Sequence, residues 1–276
     1  MAHLDALRRR VPDFVRTAVL YARRRAALRR VRRVASADEG TARILRAVER
    51  TLRGDLEPEE RAWIRRLAEL RRRLRRSREP IVFRADPLVA QTVGQRYLLS
   101  KPPLSALLLF RLVRELRPSR CLELGTNLGV STAYQAAALR LNGGGELHTI
   151  EGYPMVADLA RAHLASLGLA ARVHQGQFSD VLPGLLARTA PLDYVFIDGH
   201  HDGPATVGYF GQIHPSLCPG AMVVFDDVAW SSGMAGAWKA IRADPRVRVA
   251  VDLGSMGVCI AGGEGETIRI DLPIPD

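Results

Sequence analysis

Residues 120–129 read Arg-Cys-Leu-Glu-Leu-Gly-Thr-Asn-Leu-Gly, a mostly apolar segment that runs into a turn with two glycines. The apolar segment predicts a buried strand over 120–124, and the helical spacing after it predicts a helix over about 131–141. Gly125 allows a sharp turn and lets a ligand approach the backbone, while the helix N-terminus offers free N–H groups. The turn lacks the second glycine of the dinucleotide fingerprint and the Gly-Lys-Ser/Thr of a phosphate loop. The stretch therefore predicts an α/β fold with a ligand at the start of this helix.

Strand and helix patterns alternate along the chain after residue 80. Further strands are predicted at 146–150, 171–175, 192–197 and 221–225, with two short strands near 247–251 and 256–261. Other helices are predicted at about 104–117, 155–167, 180–189, 204–214 and 234–243. Such alternation is typical of a Rossmann-like, doubly wound sheet. We predict seven strands, with an antiparallel hairpin at the C-terminal end, in a domain over residues 81–276.

The chain carries a formal net charge of +11, and the positive excess lies within its first 80 residues. Those residues hold 24 Arg against 11 acids, whereas the remainder holds 16 basic and 18 acidic residues. Helical spacing predicts amphipathic helices over 4–34 and 41–53, and a third helix that Asp55 caps ahead of Pro58. We interpret residues 1–80 as a basic helical arm that covers the domain or forms a homodimer. A nucleic acid or an anionic membrane surface is the less favoured partner.

Composition excludes several classes of protein. The 47% of hydrophobic residues suffices for a buried core, and 25% of charged residues is ordinary for a globular chain. No apolar run approaches the roughly 18 residues of a membrane-spanning helix. Cys121, Cys218 and Cys259 are too widely spaced for a disulfide framework or a zinc site, and we see no secretory signal, so we expect a reducing cytoplasm. Lys101 and Lys239 stand against 38 Arg, which we attribute to a GC-rich genome.

A second ligand signal follows the glycine turn. The next predicted strand ends in Thr-Ile-Glu151, about 26 residues after Gly125. A carboxylate at this position can accept hydrogen bonds from both hydroxyls of a ribose. Either Glu151 binds a nucleoside in this way, which we favour because of the preceding turn, or it is a surface acid at a strand end.

Polar side chains follow two more apolar strands. One strand runs into Ile-Asp198-Gly-His200-His201 and the other into Phe-Asp226-Asp227. The carboxyl ends of parallel strands meet at one sheet edge, where three carboxylates would repel one another unless they share protons or bind a cation. Oxygen ligands without cysteine favour Mg²⁺, Ca²⁺ or Mn²⁺, and a nearby histidine can take a proton near neutral pH. The alternative is that the acids cap a turn and the histidines close a loop over a ligand.

The order of these motifs resembles the class I S-adenosylmethionine-dependent methyltransferases over about residues 95–262. The motifs are Glu-x-Gly-x-x-x-Gly at 123–129, the acid that ends the second strand, Gly-Gln-Phe-Ser-Asp at 176–180 and Ile-Asp at 197–198. The resemblance implies S-adenosylmethionine as the cofactor, with the ribose on Glu151 and adenine near Phe178 and Ser179. The full set of implied cofactor-binding residues is Glu123, Gly125, Thr126, Gly129, Thr132, Glu151, Phe178, Ser179 and Asp198.

Asp-Gly-x-His followed later by Asp-Asp resembles one branch of this family, which includes the macrocin and mycinamicin sugar O-methyltransferases. The catechol-type relatives carry Asp-Ala-Asp-Lys and Asp-Asn at these places instead. The resemblance implies that Asp198, Asp226 and Asp227 hold Mg²⁺ or another hard cation, and that His201, or else His200, is the catalytic base. It implies methyl transfer to a hydroxyl of a sugar, a polyketide or another natural-product-like small molecule. The alternatives are an RNA methyltransferase recruited by the basic arm and a relative that binds the cofactor without methylating.

Three residues near these motifs have two interpretations each. Tyr97 and Lys101, which precede the helix at 104–117, either touch the substrate or pack a lid over the cofactor. Trp230 follows the acidic pair in a predicted loop over the site, where it either stacks on a substrate ring or anchors the loop.

Overall fold

In the computed structural model, the described residues are 13–34, 38–82, 90–262 and 265–275. Residues 4–12 of the first predicted helix lie outside them. The helices are α1 Asp13–Arg33, α2 Glu39–Arg53, α3 Pro58–Arg76, α4 Val93–Tyr97, α5 Pro103–Leu116, α6 Val130–Leu141, α7 Pro154–Leu167, α8 Phe178–Thr189, α9 Gly203–Ile213 and α10 Ser232–Ala243. The strands are β1 Pro80–Val82, β2 Ala90–Thr92, β3 Arg120–Leu124, β4 Glu146–Glu151, β5 Arg172–Gln175, β6 Leu192–Ile197, β7 Leu217–Phe225, β8 Val247–Asp252, β9 Gly257–Ala261 and β10 Ile268–Asp271.

The strands β3 to β10 form one sheet in the order β10-β8-β9-β7-β6-β3-β4-β5, and β1 pairs with β2 separately. The strands from β5 across to β7 run parallel, whereas β9 is antiparallel to both β7 and β8. The doubly wound fold with its C-terminal antiparallel hairpin is therefore confirmed. The described sheet has eight strands rather than seven, because β10 adds parallel to β8 beyond the predicted hairpin. Its four residues are too few for the alternating pattern to reveal them.

The register places the carboxyl ends of four neighbouring strands together. Leu124 of β3 lies opposite Ile150 of β4 and Ile197 of β6, and Ile197 also lies opposite Phe225 of β7. These residues are buried because the parallel strands are covered by helices on both faces. The residues that follow them are therefore neighbours along one edge of the sheet.

Two layers of helices cover the sheet. On one face, α2 packs on α5 and α3 packs on α6, and Leu67, Leu109 and Tyr134 belong to one apolar core. On the other face, α8, α9 and α10 form a second core that includes Leu185 and Phe210. Each helix buries its apolar stripe against the sheet or the neighbouring helix, which fixes the strands and their carboxyl ends in place.

The helices of the basic arm begin where local capping favours them. The sequence prediction that Asp55 caps α3 was wrong, because the N-cap is Glu57 and Glu60 completes its capping box. Pro58 prefers the first helical position, so the residue directly before it becomes the cap. Glu60 is also buried, and it pairs with Arg111 of α5. The arm is thereby joined to the sheet domain by charge as well as by apolar contact.

The described residues bear on two of the classes that composition excludes, membrane-spanning proteins and proteins stabilised by disulfides. None of the described helices is both long enough and apolar enough to cross a membrane. The three cysteines are free, and burial raises the pKa of the Cys259 thiol well above its usual value. A thiol held in its protonated form is a poor nucleophile, so Cys259 is not a candidate for covalent chemistry.

Candidate functional site

The turn after β3 is shaped by its contact with the neighbouring strand end. Gly125 has a φ of +100°, and a Cβ at this position would lie 1.9 Å from the backbone oxygen of Asp198. Only glycine allows this approach. The backbone N–H of Asp198 donates to the Leu124 oxygen at 2.9 Å, which ties the two strand ends together. Asn127 has a φ of +47°, a region that asparagine tolerates better than most residues.

A cavity of about 320 Å³ opens at this sheet edge, beside the ends of β3, β4, β5 and β6. Among the residues that the sequence predicts as binding or catalytic, it is lined by Gly125, Glu151, Phe178, Asp198, His200 and His201. Its other lining residues are Arg96, Leu99, Asn127, Ile150, Gly152, Tyr153, Gly176, Gln177 and Gly199. A larger concavity of about 710 Å³ lies beside Trp238 and Arg242, and its lining contains no predicted site residue. We therefore take the cavity at the strand ends as the candidate site.

Glu151 ends β4 beside this cavity and is 5% exposed. Its Oε2 accepts the backbone N–H of Asn127 at 2.8 Å, and its Oε1 accepts the backbone N–H of Tyr153 at 3.0 Å. These two bonds fix the carboxylate, and each oxygen keeps a second lone-pair position for another donor. The geometry therefore suits a ligand with two adjacent hydroxyls, which is what the sequence predicts for a ribose.

Glu123 lies behind the cavity, although the sequence places it in the cofactor-binding set. It is fully buried and accepts hydrogen bonds from the hydroxyls of Thr132 and Thr149 and from Nε2 of Gln135. Burial raises its pKa to about 7, although the hydroxyl donors lower it. Thr126 bonds to the Thr149 hydroxyl at 2.6 Å and borders a niche of about 10 Å³ next to the cavity. These buried groups hold the turn to β4 and α6 and shape it from behind.

Three more of the predicted cofactor-binding residues differ in where they lie relative to the cavity; they are Gly129, Phe178 and Ser179. Gly129 has a φ of +77° and is the N-cap of α6. Phe178 lines the cavity, and its ring lies so near Gly199 that a Cβ there would come within 2.5 Å of it. Ser179 is exposed, and its hydroxyl donates to the carboxylate of the next residue at 2.8 Å. Phe178 is thus placed to contact a ligand, whereas Ser179 lies outside the cavity lining.

Asp198 at the end of β6 and Asp226 at the end of β7 form an ion-paired cluster with Lys101. The Lys101 Nζ lies 3.6 Å from Asp198 Oδ1 and contacts Asp226 Oδ2 directly. Asp226 is 3% exposed, and burial raises the pKa of Asp198 against the opposing charges of Lys101 and His201. The sequence allowed two interpretations of Lys101, one as a contact with the substrate and one as packing in a lid. In the structure its ammonium pairs with both acids.

His201 connects this cluster to Asp227. Its Nε2 lies 3.9 Å from Asp198 Oδ1, and its Nδ1 lies 3.3 Å from Asp227 Oδ2. His200, His201 and Asp227 have φ values of +65°, +44° and +52°. Residues other than glycine adopt this region at an energetic cost, so the two loops hold these side chains in a constrained arrangement. His200 instead contacts the Tyr209 hydroxyl, which leaves His201 as the histidine that faces the carboxylates.

The fit of a divalent cation to the cluster depends on Lys101. Asp198, His201 and Asp226 each offer one ligand atom, and the three atoms lie within 4.8 Å of one another. This donor set would suit a hard or borderline cation. The Lys101 ammonium lies against both carboxylates, however, and would repel a dication beside it. The residues as arranged therefore do not fit Mg²⁺, and Asp227 faces His201 rather than joining the donor group.

Arg96 is a cavity residue that the sequence patterns did not indicate. It lies on α4, its Nε donates to Asn127 Oδ1 at 2.9 Å, and its guanidinium lies 5.6 Å from the centre of the Tyr153 ring. The helix has only five residues, which is too short for a periodic apolar stripe. A capping box between Thr92 and Gln95 marks its start, and that signal could have located it.

Residues 122–228 match the family model described as a methyltransferase domain. The chain is similar to a catechol O-methyltransferase of Niastella koreensis, with 38% identity over 110 residues that make up 39% of this chain and 48% of that protein. It is also similar to a protein-L-isoaspartate O-methyltransferase of Bordetella petrii, with 31% identity over 121 residues, 43% of this chain and 41% of that protein. The chain thus spans about half the length of the curated relatives it matches.

Two solved structures have a similar fold. The O-methyltransferase TomG from Streptomyces achromogenes, in complex with SAM and involved in tomaymycin synthesis, is 29% identical, has a TM-score of 0.52, and matches over 60% of this chain and 82% of its own. An O-methyltransferase from Bacillus cereus in complex with SAH is 20% identical, has a TM-score of 0.56, and matches over 79% of this chain and 97% of its own. The fold is that of the Rossmann-like class I methyltransferases, and the segment that matches the family model contains the strand ends that form the cavity.

Proposed function

We propose that the protein transfers the methyl group of S-adenosylmethionine to a hydroxyl oxygen of a small molecule. The observation that carries this proposal is one cavity at which the Gly125 turn, Glu151 and the loop from Asp198 to His201 meet. The match of residues 122–228 to methyltransferase domains supports the cofactor. The O-methyltransferases among the relatives support an oxygen acceptor.

Residues on three strand ends would hold the cofactor. Glu151 would accept the two ribose hydroxyls on its remaining lone pairs, because its bonded carboxylate is already fixed in place. Phe178 offers an aromatic surface for adenine. Gly125 lines the cavity, so the backbone of its turn would contact the methionine part, and the buried bonds of Glu123 keep that turn in shape.

Proton removal from the acceptor is the task of this chain's own residues. When bound, S-adenosylmethionine supplies an electrophilic methyl group, so that an O–C bond forms as the S–C bond breaks and the sulfonium becomes a neutral thioether. His201 would take the hydroxyl proton on Nε2, since Nδ1 is occupied with Asp227. The Asp227 carboxylate fixes the ring and stabilises the imidazolium that results.

The acceptor would have an apolar face. Leu99 and Tyr153 line the cavity, yet they are 62% and 47% exposed. Trp230, in the loop after Asp227, is 70% exposed, although it is not among the residues that line the cavity. An aromatic or polyketide-like acceptor would cover such surfaces better than a bare sugar. The Mg²⁺ that the sequence predicts has no step in this mechanism, because Lys101 already pairs with two of the three predicted ligands.

Calorimetric titration of S-adenosylhomocysteine into the 276-residue protein tests the cofactor. The wild type should bind with micromolar affinity or tighter, and Glu151→Gln should bind at least about tenfold more weakly, because it loses charge-assisted acceptors for the ribose. Glu146→Gln is the matched control, since Glu146 begins the same strand and is exposed. Its affinity should equal that of the wild type. A folded wild-type protein that binds no S-adenosylhomocysteine would refute the proposed function.

Methyl transfer to a panel of phenols and polyketide alcohols tests the base. His201→Gln should lower kcat by about 100-fold or more while leaving the affinity for S-adenosylhomocysteine within about threefold. His174→Gln, on β5 and outside the cavity lining, should retain full activity. If His200→Gln loses activity and His201→Gln keeps it, the base has been assigned to the wrong histidine.

A further inference from the structure

We infer that the Lys101 ammonium is the resident cation of the Asp198–Asp226 cluster and takes the place that a divalent metal ion would otherwise hold. This inference rests on the proposed function for its catalytic part, but its structural part stands on the ion pairs alone. Lys101 is only 8% exposed. Because lysine is almost never buried without a partner, its ammonium needs opposite charge nearby. Its two partners are the buried Asp226 and the part-buried Asp198, which are the two acids that a metal ion would need.

The backbone around Lys101 is held from both sides. The Lys101 carbonyl accepts a hydrogen bond from the buried Arg71 guanidinium of α3 at 2.8 Å. Pro102 and Pro103 follow directly, and Pro102 is the N-cap of α5. Proline fixes φ, so this segment has little freedom to withdraw. The Lys101 side chain starts from a fixed backbone and ends on the carboxylates of Asp198 and Asp226, so it is a built-in counter-ion.

Charge balance in the cluster explains why the Lys101 ammonium excludes a divalent metal ion. Asp198 and Asp226 lie close together with little solvent, so they need positive charge nearby to remain ionised. The Lys101 ammonium supplies one such charge, and His201 can supply a second when it holds the acceptor's proton. A dication in the same donor group would face the ammonium at contact distance, where the repulsion is large in a partly desolvated site. Metal binding would therefore require Lys101 to leave.

Lys101 lies next to the cavity proposed as the reaction site. Lys101 borders the small niche beside the cavity, and the niche shares Leu99, Gly125, Asn127 and Asp198 with the cavity lining. An ammonium at this position can donate a hydrogen bond to the hydroxyl oxygen of the methyl acceptor. A metal ion in its place would coordinate the same oxygen. Methyl transfer should then proceed in the presence of a chelator.

Titration of Mn²⁺ followed by electron paramagnetic resonance tests this assignment in the 276-residue protein. The chelator-treated wild type should bind no Mn²⁺ up to about 1 mM. Lys101→Met should bind one equivalent of Mn²⁺ with a dissociation constant at least about tenfold below that limit, because the repelling charge is gone. Adding Asp226→Asn to Lys101→Met should abolish that binding. The control is Lys239→Met, which removes the other lysine of the chain from the exposed face of α10 and should behave as the wild type.

Two results would overturn the inference. The first is a wild type that binds one Mn²⁺ as tightly as Lys101→Met, because the ammonium would then be leaving the cluster and the metal site predicted from the sequence would be correct. The second is the absence of Mn²⁺ binding in both proteins, because the cluster would then hold no cation position. If Lys101→Met does not fold, wild-type Mn²⁺ binding that Asp226→Asn abolishes overturns the inference, and chelator-resistant methyl transfer supports it. Binding of S-adenosylhomocysteine is measured separately, so failure of the proposed function is distinguishable from failure of this inference.

Discussion

Replacing Glu60 with Gln should destabilise the folded protein strongly, because Glu60 neutralises a guanidinium that has no access to solvent. The Arg111 side chain is 0% exposed and that of Glu60 is 1% exposed. Glu60 Oε1 also accepts from Arg114 at 3.3 Å, and its Oε2 accepts from Arg50 at 3.3 Å and from the Glu57 backbone at 2.9 Å. One carboxylate on α3 thus joins the arm to α5.

The size of the effect follows from what Glu60→Gln leaves behind. The guanidinium of Arg111 would keep the backbone oxygen of Asp55 as a partner but would lose its counter-charge. Breaking a buried ion pair by removing one member costs about 3–5 kcal/mol of the free energy of unfolding. For a chain of this size we therefore expect the melting temperature to fall by about 10 °C. Equilibrium unfolding in urea, followed by circular dichroism, measures the loss directly.

A matched substitution on the same helix separates burial from charge. Glu69 is also on α3 and also pairs with an arginine, Arg72, but the two side chains are 67% and 65% exposed. Glu69→Gln should change the free energy of unfolding by less than about 0.5 kcal/mol. Replacing Glu60 and Arg111 together with Leu should restore part of the loss. A Glu60→Gln variant within about 1 kcal/mol of the wild type would refute this account of the pair.

Gly125 in the turn, the buried Glu123 and Asp227 beside His201 each give a further test. Gly125→Ala should lower the affinity for S-adenosylhomocysteine at least about tenfold, whereas Gly143→Ala, with a similar positive φ but open space, should only lower stability, by about 1 kcal/mol; calorimetry and thermal melts distinguish the two. From about pH 4.5 to pH 7, wild-type stability should fall by about 3 kcal/mol relative to Glu123→Gln, because the folded state retains the Glu123 proton that the unfolded chain releases; urea unfolding across this range shows the slope, and a difference that is independent of pH contradicts it. Asp227→Asn should lower kcat at least about tenfold with unchanged affinity for S-adenosylhomocysteine, since His201 loses its carboxylate partner; an unchanged kcat would remove Asp227 from the mechanism.

The central strands and the edge that carries the site could be predicted because their signals are local. An apolar run such as 221–225 specifies a buried strand whatever its partners are, and Gly125 marks the turn directly after the strand at 120–124. Glu151 and Asp198 were located by the same reasoning, since each directly follows or ends such a run. The parallel register then brings these positions together, as the alternation of strands and helices implies.

The parts that could not be predicted depend on contacts between distant segments. Lys101 and Asp226 are far apart in the sequence, and no pattern around either one indicates that the two side chains meet. Glu123 was grouped with Glu151 through the motif resemblance, and its hydrogen bonds to Thr132, Gln135 and Thr149 depend on contacts with α6 and β4 that the motif does not indicate. β10 was missed for a different reason, because four residues give too little periodicity to stand out.

The packing of α2 and α3 on the helices of the sheet domain has an evolutionary consequence. Ile44 and Leu67 in the arm are fully buried in the same core as Leu109 and Tyr134, and Arg71 of the arm bonds to the Lys101 carbonyl at the site. A lineage that lost or exchanged these helices would expose that core and release the segment that carries Lys101. Substitutions on the two sides of this boundary must therefore compensate for each other. The arm should diverge together with the residues of the candidate site, and not as an interchangeable module shuffled among unrelated proteins.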